Sequence, residues 1–331
     1  MMLKIGIIGA NGFLGLELIR ILKAHPRVEL SKILQRDLNI EEEFSHLKNL
    51  GLEKIQSNNI NDFNNLDCVF ISLPHGTAEE YVKVLMEHVK IIDLSSDFRI
   101  TDQDSYYKYY KTNFNSEIQK KFDYGFIEKN IASLRKSSFV ANPGCFALTA
   151  QLSILPFNDL IKEISITAIT GSSGGGKTPT LKNHHSIRSK DLFSYNINKH
   201  RHLSEIYQSF PNLKECLSFV PLSGSFSRGI YLTAHITTNT RIKEQILLDR
   251  LENQFKDMPF IRIQNQIKLS NVVGSNYCDL SISYQNENHF IVEACLDNLV
   301  KGASGNAIEC MNLLYGFDQT LGLNSLIPTY L

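Results

Sequence analysis

The stretch LKIGIIGANGFLGLELIRIL, residues 3–22, decides how the chain begins. Residues 3–9 are mostly apolar, as in a buried strand, and residues 12–22 carry apolar side chains at helical spacing. The glycines between and around them contain the spacing G-x-x-G-x-x-G, which lets a strand turn tightly into a helix whose free N–H groups face a pyrophosphate. The segment therefore predicts a strand, a glycine turn and a helix that bind a dinucleotide.

The end of the second predicted strand, Val28 to Leu34, bears on the choice of cofactor. A fold that prefers NAD usually places a carboxylate there, whereas this chain continues with Gln35 and Arg36. A guanidinium suits a 2′-phosphate, so Arg36 favours NADP(H). The neighbouring residue Asp37 carries a carboxylate, so NAD(H) stays an alternative cofactor.

Alternation of apolar runs with helical or polar stretches continues to about residue 144 and predicts an α/β domain with a Rossmann-type, doubly wound parallel sheet. Beyond that point longer runs with partial period-two alternation predict an α+β substrate and dimerisation domain with a mostly antiparallel sheet. We expect residues 1–144 to bind the dinucleotide, with the helical tail 305–331 returning to them, and residues 145–304 to carry catalysis, substrate binding and oligomerisation. The runs are residues 68–73 and 91–94 in the first part, and residues 163–170, 229–237 and 279–296 in the second.

The composition excludes several classes of function. Thirty-four Lys and Arg balance thirty-four Asp and Glu among 331 residues, so no overall positive field recruits nucleic acid or an anionic membrane. No apolar run approaches the ~20 residues of a membrane span, and we read no signal peptide. The six cysteines are scattered without a C-x-x-C pair, and the histidines and cysteines lack zinc-ligand spacing. These features predict a cytoplasmic protein with no metal site.

The sharpest chemical signal is Asn142-Pro143-Gly144-Cys145, followed by an apolar helical run. A turn there places the Cys145 sulfur at a helix N-terminus, where the dipole lowers the pKa of a thiol and produces a thiolate nucleophile. The alternative is a small buried residue in a tight turn. A thiolate needs an acid–base partner, and the densest imidazole regions are residues 184–185 and 200–202. An ordinary solvated polar stretch is the alternative for residues 199–205.

Residues 171–178, GSSGGGKT, satisfy the P-loop pattern literally. A phosphate-binding P-loop also needs a helix that begins at Lys177-Thr178 and a later Walker-B strand, and the sequence offers neither. A polar, glycine-rich loop that holds an anionic substrate through backbone N–H groups is the better interpretation. A P-loop NTPase and a catalytically silent NADP-binding protein stay as less favoured alternatives.

Several short sequence motifs, spread over nearly the whole chain, occur in the same order as in a known family. The chain resembles the N-acetyl-γ-glutamyl-phosphate reductases of arginine biosynthesis, including their relatives that act on α-aminoadipate in lysine biosynthesis. The matching blocks are residues 9–15 (GANGFLG), 73–76 (LPHG), 92–99 (IDLSSDFR), 124–125 (YG), 142–145 (NPGC), 200–202 (HRH) with Glu205, 228–229 (RG), 274–276 (GSN) and 297–303 (DNLVKGA).

The resemblance implies roles for individual residues. It implies that Cys145 is the nucleophile and His200 the acid–base residue. The implied cofactor contacts are Gly9, Asn11, Gly12, Phe13, Leu14, Ser172, Gly174, Asn298, Lys301 and Gly302, beside Arg36. The candidate substrate contacts are Asn142, Arg99, Arg188, Arg201 and Glu205, where the guanidiniums can clamp phosphate or carboxylate.

The implied reaction is the NADPH-dependent reduction of N-acetyl-γ-glutamyl phosphate to N-acetylglutamate semialdehyde and inorganic phosphate through a Cys145 thioester, by a homodimer or homotetramer. Residues 184–189 read HHSIRS, which is closer to the His-His-x-x-Arg-Ser of the lysine-pathway relatives. The alternative substrate is therefore carrier-bound α-aminoadipyl phosphate, with the carrier protein as a partner. An aspartyl-phosphate substrate is less favoured.

Overall fold

The computed structural model describes residues 2–34, 40–181 and 184–328. The chain forms two compact units, Met1–Asn142 with Ala303–Ser325, and Pro143–Gly302 with Leu326–Leu331. The Asn142 side chain donates to the Ala303 carbonyl, 3.1 Å away, and so joins the two segments of the first unit. The expected boundary after residue 144 and the expected return of residues 305–331 stay predictions.

The first unit contains a seven-stranded sheet in which every neighbouring pair is parallel. The strand order is β3-β2-β1-β4-β5-β7-β6. The order reverses direction between β1 and β4, which is the point where doubly wound sheets bind their ligands. The strands are β1 Leu3–Ile8, β2 Val28–Leu34, β3 Gln56–Ser57, β4 Cys68–Ile71, β5 Lys90–Asp93, β6 Asp123–Tyr124 and β7 Phe139–Ala141.

Helices pack against this sheet, and the helix formed by residues 305–314 is buried on all sides. The first helix turns Leu18, Ile19, Ile21 and Leu22 inward, as its apolar spacing predicts. The helices are α1 Phe13–Ala24, α2 Ile40–Glu43, α3 Ala78–Leu85, α4 Gln103–Tyr110, α5 Ser116–Gln119, α6 Ile127–Leu134 and, from the end of the chain, α11 Gly305–Leu314. The predicted Rossmann-type domain is thereby confirmed.

The second unit contains a mixed, mostly antiparallel seven-stranded sheet with the order β12-β13-β14-β11-β8-β10-β9. Only the β8–β10 and β12–β13 pairs are parallel. Alternation along the central strands buries one face, which packs against the helix formed by residues 145–154. The strands are β8 Ile161–Thr170, β9 Phe193–Ser194, β10 Leu217–Ser223, β11 Ile230–Thr238, β12 Ile261–Ile263, β13 Cys278–Asn286 and β14 His289–Leu296; the helices are α7 Cys145–Ile154, α8 His185–Arg188, α9 His202–Ser209 and α10 Glu244–Phe255.

The predicted α+β character of this part is confirmed by that sheet. Between the two units in sequence, Val300–Ser304 forms one π-helical turn before α11. Within the described ranges, the helices are too short or too polar to traverse a lipid bilayer.

Candidate active site

The glycine turn after β1 has the conformation that the first unit needs. Gly9 has φ +84°, and a Cβ built on it would lie 2.2 Å from the carbonyl oxygen of Ser72, which follows β4. A Cβ on Gly15 would lie 2.5 Å from Ala10. Glycine at both positions therefore lets the turn pass closely between β4 and the start of α1.

The same turn fits a dinucleotide phosphate. Helix α1 begins after Gly12, whose backbone is extended and which no side chain caps, and a Cβ on Gly12 would meet nothing within 4 Å. Asn11 is exposed, and Phe13 and Leu14 are half-buried. Uncapped first-turn N–H groups beside open space are the arrangement that holds pyrophosphate. Arg36, the residue expected to select NADP, lies outside the described residues.

Two predicted substrate residues of the first unit are tied to its backbone. The Asn142 side chain donates to the Ala303 carbonyl and accepts from the Asn306 amide, 2.8 Å away. Arg99 is buried and donates through Nη2 to the Leu94 carbonyl, 2.9 Å away. Burial, followed by the charge of Asp97, raises the pKa of Asp93 to about 7, and Arg99 opposes that rise. Arg99 therefore lies in a buried, charged corner after β5.

Sequence reasoning gave no role to the His75–Asp97 pair, although both residues lie in blocks that carry the resemblance. His75 Nδ1 is 2.6 Å from Asp97 Oδ1, and the ring stacks on Tyr110 at 3.8 Å. Asp97 also accepts from the backbone N–H groups of Gly76 and Ala78. Burial works to raise the pKa of Asp97, but the hydrogen bonds from His75 and the two N–H groups outweigh it and lower that pKa. Asp97 thus fixes the loop after β4.

In the second unit, Cys145 is the first residue of α7, as the sequence predicts. Gly144 is the N-cap, with extended φ and ψ, and no side chain caps the helix. Cys145 is half-exposed, whereas four of the other five cysteines are buried. Cys145 therefore lies at the positive end of a helix and is partly exposed, which distinguishes it from a core cysteine.

Helix α9 packs directly on the turn before Cys145. A Cβ built on Gly144 would lie 2.3 Å from His202 Nε2, so only glycine leaves room for that imidazole. Glu205 accepts from the Gly144 N–H at 2.9 Å, and its other oxygen is 3.9 Å from His202 Nε2. His202 belongs to the histidine-rich stretch 200–202 that the sequence offers as a source of an acid–base partner, whereas the resemblance assigns that role to His200. The site therefore contains a buried His202–Glu205 pair beside the cysteine turn.

His200 is also buried, between the aromatic rings of Phe146 and Tyr195. Its Nδ1 accepts a hydrogen bond from the His202 backbone N–H at 3.2 Å, which leaves the ring proton of the neutral form on Nε2. Burial, followed by the charge of Arg201, lowers the pKa of His200 to about 4. His200 is therefore neutral at physiological pH and presents a donor rather than an acceptor.

The two predicted arginines of this unit have different surroundings. Arg188 is buried, donates through Nη1 to the Ser223 hydroxyl and through Nη2 to the Thr170 carbonyl, and lies over the Phe193 ring at 5.7 Å. Burial lowers the pKa of Arg188 below its ordinary value. Arg201 is exposed at the start of α9. One guanidinium is thus fixed and the other is open to solvent.

The glycine-rich segment after β8 is held by the chain around it. Ser172–Gly175 forms a single 3-10 turn, and no α-helix begins between residues 176 and 181, so the backbone that a P-loop requires is missing from that range. The backbone N–H of Ser172 donates to the backbone carbonyl of Phe226. A Cβ on Gly174 would lie 3.0 Å from Thr170 Oγ1, so the turn also lies close to the end of β8.

Asn298 fixes this turn from the end of β14. It accepts from the Gly229 N–H at 2.6 Å and donates to the Ser173 hydroxyl at 3.0 Å. Its side-chain amide therefore has a structural role in the second unit, beside the cofactor contact that the resemblance implies.

The remaining two predicted cofactor residues lie in the next turn. A Cβ on Gly302 would lie 2.9 Å from the Cβ of Cys145, so glycine allows the chain to pass beside Cys145. Lys301 is fully buried, with its ammonium 5.8 Å from the centre of the Phe260 ring. In the described part of the chain, no group of three or more His, Cys, Asp or Glu residues is placed to hold a metal ion.

Comparisons with known proteins identify the class to which this fold and site belong. Residues 4–136 match the family described as semialdehyde dehydrogenase, NAD binding domain, and residues 145–298 match semialdehyde dehydrogenase, dimerisation domain. Aspartate semialdehyde dehydrogenase II from Vibrio cholerae has a similar fold, with a TM-score of 0.67 over 96% of this chain and 99% of that chain at 14% identity. The enzyme from Francisella tularensis gives a TM-score of 0.66 over 95% and 100% at 14% identity.

Relatives with higher sequence identity identify the family within the semialdehyde dehydrogenase class. N-acetyl-gamma-glutamyl-phosphate reductases from Archaeoglobus fulgidus and Karelsulcia muelleri are 34% and 36% identical to this chain, over 98% and 97% of it and 98% of each relative. A putative [LysW]-L-2-aminoadipate/[LysW]-L-glutamate phosphate reductase from Pyrococcus horikoshii is 35% identical over 97% of this chain and 98% of that protein. The chain belongs to the N-acetyl-gamma-glutamyl-phosphate reductase family, and it is an oxidoreductase of the semialdehyde dehydrogenase type with a nicotinamide cofactor.

Proposed function

We propose that this protein uses NADPH to reduce N-acetyl-γ-glutamyl phosphate to N-acetylglutamate semialdehyde and inorganic phosphate, as in arginine biosynthesis, through a thioester on Cys145. The observation that carries the proposal is the position of the half-buried Cys145 at the start of α7, with the paired His202 and Glu205 on the turn before it. The names of the relatives supply the substrate.

In the first step, the Cys145 sulfur attacks the acyl carbon of the substrate. The bond between that carbon and the phosphate oxygen breaks, and inorganic phosphate leaves. The thiol proton passes to an imidazole, and the positive end of α7 stabilises the thiolate. His202 is suited to receive this proton, because Glu205 stabilises the imidazolium that results.

In the second step, the thioester is reduced and released. The nicotinamide cofactor, when bound, supplies the hydride to the thioester carbon. His200, with its ring proton on Nε2, donates a hydrogen bond to the oxygen on which negative charge develops. The carbon–sulfur bond then breaks, the aldehyde leaves, and Cys145 is again a thiolate. His200 thus acts on the oxygen and His202 on the sulfur.

The binding residues divide between the units. In the first unit we assign the cofactor phosphates to Gly9, Asn11, Gly12, Phe13 and Leu14, and the NADP 2′-phosphate to Arg36. The uncapped start of α1 and the open space at Gly12 support this assignment. Further cofactor contacts are assigned to Ser172, Gly174, Asn298, Lys301 and Gly302, and substrate contacts to Asn142, Arg99, Arg188, Arg201 and Glu205.

A second candidate function is the same chemistry on carrier-bound α-aminoadipyl phosphate, with the carrier protein as partner. It is supported by the sequence of residues 184–189 and by the name of the Pyrococcus relative. In either case we expect a homodimer or homotetramer built on the second unit, whose sequence matches a dimerisation domain. We place the reaction in the cytoplasm, consistent with six free cysteines.

The test is a reductase assay that follows NADPH oxidation and offers both acyl phosphates side by side. We expect turnover on N-acetyl-γ-glutamyl phosphate, with loss of all measurable turnover in Cys145→Ser and near-normal turnover in Cys216→Ser, which changes another half-exposed cysteine. Turnover by the carrier-bound substrate alone would favour the second candidate. Undiminished activity in Cys145→Ser would refute both.

A further inference from the structure

Tyr195 lies beside His200 in the candidate active site. It follows the edge strand β9, and its backbone N–H donates to the Pro221 carbonyl of β10 at 3.1 Å. Its ring meets the His200 ring edge-on, with centroids 5.7 Å apart, and His200 meets Phe146 at 5.4 Å. Phe146 is the residue after Cys145, so two ring contacts connect Tyr195 to the start of α7.

The hydroxyl of Tyr195 differs from those of comparable tyrosines. The Tyr231 hydroxyl donates to Glu293, and the Tyr315 hydroxyl donates to the Asp67 carbonyl, both at 2.5 Å. Within residues 2–34, 40–181 and 184–328, the Tyr195 hydroxyl has no hydrogen-bond partner. The residue is half-buried, so a donor with no protein acceptor is available to a ligand.

Charges around this hydroxyl indicate the kind of ligand. Burial, followed by the charge of Cys145, raises the pKa of Tyr195, while the guanidiniums of Arg188 and Arg201 oppose that rise. The hydroxyl therefore keeps its proton at physiological pH and lies in the field of two cations and the nucleophile. The buried Nε of Arg188 also lacks a hydrogen-bond partner among the described residues. Donors and positive charge together match an anion with several acceptor oxygens.

The substrate of the proposed reaction carries such an anion next to the attacked atom. In an acyl phosphate, one bridging oxygen separates the phosphoryl group from the carbonyl carbon that Cys145 attacks. We expect the guanidiniums of Arg188 and Arg201 to attract the phosphoryl group while the acyl carbon contacts the Cys145 sulfur. In that position the phosphoryl oxygens would lie near the Tyr195 hydroxyl.

We propose that the Tyr195 hydroxyl donates a hydrogen bond to the phosphoryl group of the acyl phosphate, and to inorganic phosphate when the reaction runs backward. This assignment rests on the proposed function. It makes Tyr195 a residue that contacts substrate, distinct from a residue that only orients His200 through its ring.

The experiment uses Tyr195→Phe, which keeps the ring against His200 and removes only the hydroxyl. In the phosphate-dependent oxidation of the semialdehyde by NADP, we expect KM for inorganic phosphate to rise about 10-fold, as for loss of one hydrogen bond to a charged group. KM for aldehyde and for NADP should stay within about 2-fold of the wild type. Tyr284→Phe, in β13, is the matched control and should leave all three constants unchanged.

A second measurement does not depend on turnover. Inorganic phosphate should protect Cys145 from iodoacetamide, and the half-protecting concentration should rise about 10-fold in Tyr195→Phe but not in Tyr284→Phe. An unchanged phosphate dependence in both measurements would overturn the proposal, and so would an equal rise in the KM for aldehyde, which indicates a role through His200. A wild type without phosphate-dependent turnover would instead contradict the proposed function, and the protection measurement would still decide the role of Tyr195.

Discussion

His202 lies so close to Gly144 that a Cβ on the glycine would be 2.3 Å from the imidazole Nε2. Gly144 also donates its N–H to Glu205, the partner of that imidazole. The turn before Cys145 therefore packs directly against the helix that carries His202 and Glu205. A change in either element should displace both.

Gly144→Ala should lower the free energy of unfolding by about 1–3 kcal/mol, because the new methyl group overpacks against the His202 ring. The double variant Gly144→Ala/His202→Ala should recover most of this loss, since the ring is then absent. Urea unfolding of the four proteins in the cycle measures the coupling. Additive effects of the two changes would show that the ring and the turn do not compete for the same space.

Iodoacetamide at neutral pH should label Cys145 first. Cys145 is half-buried at a helix N-terminus, whereas burial raises the pKa of Cys216, the other half-buried cysteine, and lowers its thiolate fraction. Peptide mass spectrometry of partially labelled protein identifies the site, and Cys145→Ser provides the unlabelled control. First labelling at Cys216, or at any buried cysteine, would contradict this order.

His200 should make the fold less stable in mild acid. The pKa of His200 is about 4 in the folded chain and about 6.5 in the unfolded chain, so the unfolded chain binds the proton more readily between these values. Stability therefore falls as the pH decreases through this window, by about 2 kcal/mol between pH 7 and pH 5 for this one group. His200→Gln cannot titrate, and the difference between its urea unfolding profile and that of the wild type isolates the effect. Parallel profiles would rule out a depressed pKa at His200.

Asn298→Ala should loosen the Ser172–Gly175 turn. The substitution leaves the buried Gly229 N–H without its acceptor, at a cost of about 1–3 kcal/mol, and removes the bond to Ser173. Hydrogen exchange should become faster at residues 171–176. Asn298→Asp keeps an acceptor for Gly229 and should retain most of the protection; equal exchange in Asn298→Ala and wild type would refute the anchoring role.

Local patterns sufficed for much of the fold and for part of the site. The strand, glycine turn and helix over residues 3–22 follow from short-range spacing, and so does the position of Cys145 at a helix start. The parallel first sheet follows from alternation of elements along the chain. These predictions needed no knowledge of which distant segments meet.

The positions of His200 and His202 depend on contacts that no local pattern contains. Two histidines separated by one residue are equivalent in the sequence, but α9 begins at the second, which brings it against Gly144 and Glu205. The sequence does not predict the position of Tyr195 either, because that position depends on the pairing of β9 with β10. The burial of Lys301 against Phe260 is likewise a long-range contact that charge alone does not predict.

The order of segments along the chain has a consequence for synthesis. Residues 143–302 form most of the second unit without interruption, whereas the first unit needs residues 303–325, including α11, whose Asn306 bonds to Asn142 and to the Gly125 carbonyl. Synthesis therefore completes nearly all of the unit that carries Cys145 before it reaches the last helix of the first unit. Nascent chains that end at residue 302 and are extended by a linker long enough to clear the ribosome exit tunnel should already protect the Cys145 region from proteases, whereas the first unit should still be cleaved.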